Sequence, residues 1–259
     1  MYGYYYFDPT YLLLIIGMVL SLLASAKVKS TFSVYSRVRS ASGLTGADAA
    51  RRILRMSGIT DVTVVPISGS LTDHYDPGSK KLALSQDVYD KTSVAAIGVA
   101  AHECGHAVQH ARSYSFLNLR SALVPFVSFA SNWVQWILLI GILTIQAYPA
   151  IMLLGIILFA ATTLFSFITL PVEINASQRA LAWLNGAGVT DASTHDKAKD
   201  ALKWAAYTYV VAALGSLATL VYYIIIFAGG RTLSWRVRGQ KSKGHSMCQS
   251  TPLKEVSVL

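Results

Sequence analysis

From Ser121 to Val172 the chain carries no Asp, Glu, Lys, Arg or His, a run of 52 residues. As a helix rising 1.5 Å per residue, this run reaches about 78 Å, enough for two crossings of a hydrocarbon core about 30 Å thick with a turn between them. The turn falls at Thr144-Ile145-Gln146-Ala147-Tyr148-Pro149. Composition points the same way. Hydrophobic residues make up 53% of the chain and charged residues 14%, with a mean hydropathy of +0.46. Soluble domains carry about 25% charged residues, so this chain has too little charge to clothe a globular surface. The same figures exclude a disordered or collagen-like chain. Two cysteines, Cys104 and Cys248, cannot make a disulfide framework.

Two further apolar stretches read as spans. Residues 9–26 hold no charge and are followed at once by Lys27 and Lys29. A cleaved signal peptide would need a positive start. The start here is Tyr2-Gly3-Tyr4-Tyr5-Tyr6-Phe7-Asp8, which suits an interfacial aromatic belt and an uncleaved anchor with its N-terminus outside. Residues 205–230 supply the fourth span. Orientation follows from the basic residues: residues 27–120 hold twelve Lys/Arg and residues 1–26 hold none. The positive-inside bias therefore puts 27–120 in the cytoplasm, and two crossings return 171–203 to the same side. The tail 231–259 has six basic residues yet falls outside by this count, unless the last apolar segment is a re-entrant hairpin. The net charge of +9 is then a property of membrane-flanking loops. The basic segment 27–55 lacks the interleaved aromatics of a nucleic-acid groove and fits a membrane surface better.

The expected architecture is a mainly α membrane protein with about four transmembrane helices and a small cytoplasmic α+β domain. Its parts are an anchor (1–26), a cytoplasmic domain (27–120), two transmembrane helices (121–170), a cytoplasmic helix (171–203), a fourth hydrophobic segment (204–230) and an atypical basic tail (231–259). Within the domain, Thr45 caps a helix that stops at Gly58. Residues 61–66 and 81–85 read as strands, with a turn at Asp76-Pro77-Gly78. Residues 93–110 have helical spacing.

That last helix contains His102-Glu103-Cys104-Gly105-His106. Two histidines four apart project from one helical face and can reach a single metal ion, with Glu103 beside them to take a proton from a metal-bound water. With six His and three Glu in the chain, roughly 0.002 such matches are expected by chance. A catalytic zinc keeps three protein ligands and leaves a position for water. The remaining glutamates are Glu173, in Leu170-Pro171-Val172-Glu173-Ile174-Asn175-Ala176-Ser177, and Glu255 in the tail. Glu173 lies on the same side of the membrane as the histidines, in a helix that Pro171 would start. It is a candidate third ligand, against the alternatives of a carboxylate marking the membrane boundary or pairing with Arg179.

Together with Asp73-His74-Tyr75-Asp76-Pro77, the segments 100–109 and 170–177 resemble the YugP-type family of membrane-bound neutral zinc metallopeptidases, over residues 1 to about 228. The resemblance implies a zincin-like, gluzincin-type endopeptidase (EC 3.4.24 type) with one Zn2+ per chain. It implies His102, His106 and Glu173 as ligands and Glu103 as general base. The expected protein is a multi-pass protein of a prokaryotic plasma membrane, and because Glu173 follows the third span by only a few residues, its expected substrates are proteins or peptides near the bilayer. Gluzincins often place an Asp four residues after the ligand Glu. Here that position is Ser177, which leaves Ser177 or Asn175 to orient a ligand histidine. His74, His110 and His195 read as structural or solvated, and Cys104 faces away from both motif histidines. Two rival readings are an intramembrane metalloprotease with helix 93–110 in the bilayer, and a non-enzymatic metal-binding or transport protein.

Overall fold

The computed structural model describes residues 10–186 and 189–247. The tyrosine-rich start, Cys248 and the end of the tail lie outside the described residues. Two compact units emerge. The first comprises the described residues up to Ser128 together with Ala161–Thr219, and the second comprises Phe129–Ala160 with the described residues from Leu220 on.

Helix α1 (Thr10–Tyr35) leads to α2 (Gly46–Met56) and then to strands β1 (Thr63–Ile67), β2 (His74–Asp76) and β3 (Lys81–Ser85). A short α3 (Gln86–Tyr89) precedes α4 (Val94–Ala111), and three long helices follow: α5 (Ser115–Thr144), α6 (Pro149–Gly186) and α7 (Ala192–Met247). Among the described residues, four helices are long and apolar enough to cross a membrane, over Leu14–Tyr35, Ser115–Thr144, Pro149–Gly186 and Ala192–Gly229. The chain is thus mostly helical, with one small three-stranded sheet.

Local signals explain the small elements. The Thr45 Oγ1 accepts from the Asp48 amide at 3.1 Å, capping α2, and Gly58 at φ +74° ends its last turn. In the sheet, β3 is central: it runs parallel to β1 with Thr63 opposite Lys81, and antiparallel to β2 with His74 opposite Ala83. That central place explains why Leu82 through Ser85 are all buried. The core beneath joins Ile53 and Leu54 of α2 and Leu82 and Leu84 of β3 to Ile97 and Val108 of α4, with Leu184 of α6 and Leu202 of α7.

Helix α4 is rich in small residues, and one of them decides how near α6 can come. A Cβ on Gly105 would stand 2.7 Å from the Ala176 carbonyl oxygen, so only glycine permits this approach. In the second unit, Val134 and Leu138 of α5 meet Met152 and Ile156 of α6, and the Phe159 and Tyr223 rings meet edge to face.

Several boundaries differ from the sequence expectation. Helix α1 runs on to Tyr35, because Lys27 and Lys29 continue the helix beyond its apolar part. Pro171 lies inside the continuous helix α6 and starts nothing. Residues 171–203 are two helical ends, not one helix. The break between them is sealed by Asp191, whose Oδ1 accepts from the Thr194 amide at 2.8 Å, so His195 stands in the first turn of α7 and not in a loop. The apolar segment 205–229 is one continuous helical stretch, which removes the re-entrant hairpin.

Candidate metal centre

Ser93 caps α4 by accepting from the Ala96 amide at 3.2 Å, and the helix then carries its motif residues into the core. His102 and His106 follow one turn apart, with ring centroids 4.9 Å apart and planes at 87°. Glu173, only 2% exposed, reaches them from α6. Its Oε2 lies 3.2 Å from His102 Nε2 and 3.6 Å from His106 Nε2. One ligand atom from each of the three residues falls within 4.8 Å of the others. The close approach at Gly105 makes this meeting possible.

Neighbouring groups fix which ring nitrogen faces inward. The Gln109 amide nitrogen donates to the Val172 carbonyl at 2.8 Å and to Asn175 Oδ1 at 3.0 Å. Its Oε1 is therefore left facing His106 Nδ1 at 3.0 Å, where only a donor is welcome. With the proton on Nδ1, a neutral His106 presents the Nε2 lone pair to the Glu173 carboxylate. His102 likewise has Nδ1 3.1 Å from Ser177 Oγ and turns Nε2 to Glu173. The His106 lone pair aimed at a buried carboxylate needs a cation between them, either a proton or a metal ion, and Ser177, which can donate or accept, lets His102 join as a second donor to a metal. Two imidazole nitrogens and one carboxylate oxygen form a donor set that suits Zn2+ and leaves a fourth position open. The residues present fit the ion. Burial pulls the His106 pKa down, but the hydrogen bond and charge of Glu173 and the charge of Glu103 outweigh it, and the net shift is upward.

Glu103, buried at 8% exposure, lines a cavity of about 400 Å³ with both histidines and Glu173. The cavity walls come from His74 and Tyr75 of β2, Leu117, Arg120 and Val124 of α5, and Tyr209 of α7. A second hollow of about 160 Å³ shares Glu103 and Tyr209 and adds Leu71, Val99 and Leu202. The result is a cleft with room on two sides of Glu103.

The remaining sequence candidates are placed clearly. Ser177 faces His102, whereas Asn175 accepts from Gln109 and from Arg179 Nε at 2.8 Å. Glu173 pairs not with Arg179 but with Arg120, whose Nη1 stands 3.4 Å from Oε1. His74 is exposed at the cavity rim, and His110 Nδ1 is 2.8 Å from the Tyr75 hydroxyl. Cys104 is buried with its Sγ toward the Ala50 carbonyl, and burial pushes its thiol well up. Three site residues were missed. Gln109 sits three positions after His106, the spacing of helical neighbours, so it was legible. Arg120 looked like one more loop charge, and nothing in the local sequence marks Tyr209.

Residues 10–228 match the protein family described as "Putative neutral zinc metallopeptidase". The chain is 47% identical over 219 residues to the "Putative membrane protease YugP" of Bacillus subtilis (strain 168), an alignment covering 85% of this chain and 96% of that one. No solved structure matches the chain.

Proposed function

The chain belongs to the neutral zinc metallopeptidase family, and from that premise we propose that it is a membrane-anchored endopeptidase whose zinc is held by His102, His106 and Glu173. The observation that carries this reading is the convergence of two Nε2 atoms on one buried carboxylate oxygen, each ring steered by a partner on its Nδ1. Bound there, one zinc per chain would supply Lewis acidity, bringing the pKa of a water to about 7 and polarising a carbonyl.

This chain's residues do the rest. Glu103 takes a proton from the attacking water and hands it to the leaving amine nitrogen. Hydroxide thus adds to the carbonyl carbon, the C–N bond breaks, and the proton balances the amine. Arg120, paired with Glu173 Oε1, holds that carboxylate so that Oε2 keeps facing the histidines. The cavity walls on β2, α5 and α7 hold the substrate chain on either side of the scissile bond.

In this reading, residues 27–120 and 171–203 lie on the cytoplasmic side of a prokaryotic plasma membrane. The twelve basic residues of the first of these segments support that side. Leu117 and Val124 line the cavity from α5, which continues as an apolar span, so substrates are proteins or peptides presented near the bilayer. Helix α4 is wrapped by protein along nearly its whole length, which favours this reading over an intramembrane protease. A metal-binding or transport role without catalysis predicts that Glu103→Gln changes nothing. The deciding experiment is metal analysis with casein-type proteolysis on the full chain beside Glu103→Gln. Zinc retained with proteolysis lost supports an enzyme, and proteolysis surviving complete metal removal overturns it.

A further inference from the structure

Four exposed cations, Lys29, Arg37, Arg39 and Lys91, converge on the C-terminal end of α1. Lys29, Ser33, Ser36 and Arg37 recur at helical spacing on one face of the chain as α1 ends. That face lines a groove of about 630 Å³, with Lys91 and Ser70 opposite. A smaller hollow of about 240 Å³ shares Ser36, Arg37 and Lys91 and adds Arg39. Lys29, Arg37, Arg39 and Lys91 are all exposed, and none has an ion pair among the described residues. Asp87 is the one acidic side chain lining either hollow.

The groove is built on paired backbone. The Ser40 amide donates to the Thr92 carbonyl at 2.8 Å and the Val94 amide to the Val38 carbonyl at 2.9 Å, so Arg37, Arg39 and Lys91 are presented by a fixed frame. Its rim is apolar at Leu71, a residue held at φ 57° and 43% exposed. Its height is set by a neighbour. The Lys27 ammonium lies 5.3 Å over the Trp204 ring, a Lys–Trp pairing typical of the membrane–water boundary, and Lys29 begins the groove two residues later. In a bilayer spanned by α1, lipid phosphates would lie at that level.

We propose that this groove binds the phosphate of an anionic phospholipid, with the acyl chains leaving past Leu71 along α1. The proposal rests on α1 spanning the bilayer and not on the zinc chemistry. Cations in such numbers select net negative headgroups, because a zwitterionic lipid brings a cation of its own.

The test uses the full chain in mixed micelles holding equal phosphatidylglycerol and phosphatidylcholine, with bound lipid counted by native mass spectrometry. The wild-type protein should retain phosphatidylglycerol in clear preference. Arg37→Gln or Lys91→Gln should each weaken retention about fivefold, and Lys29→Gln should do the same from the other side of the groove. Arg51→Gln, an exposed cation on α2 outside the groove, should leave retention unchanged. Equal retention of the two lipids overturns the proposal, as does an equal loss in Arg51→Gln. Inorganic phosphate displacing phosphatidylglycerol at matching concentration also overturns it, since the groove would then take soluble phosphate and not lipid.

Discussion

Each ligand atom at the candidate centre depends on a partner one bond further out, and single substitutions separate these roles. Glu173→Ala should lower zinc content and proteolysis together, whereas Glu103→Gln should keep zinc and lose about 10²–10⁴-fold in turnover, checked by metal analysis beside a peptide-cleavage assay. Gln109→Ala frees His106 to adopt the other tautomer and should weaken zinc binding by about 10–100-fold in a chelator competition. The elevated His106 pKa adds a pH signature. A histidine whose pKa is raised on folding adds stability that is fully present below its unfolded value, near 6.5, and is lost as pH rises through the folded value. Metal-free protein should therefore show a stabilising contribution below pH 6.5 that declines as pH rises above it, read as the melting-temperature difference between wild type and His106→Gln. A contribution growing with pH would contradict the sign.

At the level of elements, the approach of α4 to α6 matters most. Gly105→Ala must push the Ala176 carbonyl away, which should cost about 1–3 kcal/mol and widen the gap between the histidines and Glu173. Loss of stability in denaturant melts should thus come with loss of zinc affinity. The histidine helix, the capped α2 and strand β3 were legible in the sequence because each carries its own punctuation: Ser93, Thr45 with Gly58, and the run ending at Ser85. Strand β2 was hidden because it is only three residues long and its last residue, Asp76, opens a turn signal. Pro171 misled in the other direction. Proline usually opens a helix in water, but within a long apolar helix neighbouring groups can compensate for the missing amide. Arg120 and Tyr209 were invisible as site residues because only the fold brings α5 and α7 to the cavity.

For the whole molecule, the four helices long enough to cross a membrane make the proposed sidedness testable. In the proposed orientation the sheet and α4 lie in the cytoplasm and the turn between α5 and α6 faces outward. In sealed vesicles of known orientation, cysteines at Lys80→Cys and Ser193→Cys should be labelled from the cytoplasmic side only and Tyr148→Cys from the opposite side only. Labelling of Lys80→Cys from outside would invert the proposed orientation.

The split of the three proposed ligand residues between α4 and α6 bears on when the proposed centre is completed. Glu173 follows His102 by 71 positions, and an entire helical hairpin of apolar chain is made between them. A ribosome that has finished α4 has produced only two of the proposed ligands and the proposed base. The third arrives after the hairpin has been laid into the bilayer and the chain has come back. Under the proposed function, membrane insertion would then act as a safety catch: an unfinished chain would lack a complete centre, and the cytoplasm would be spared a loose peptidase.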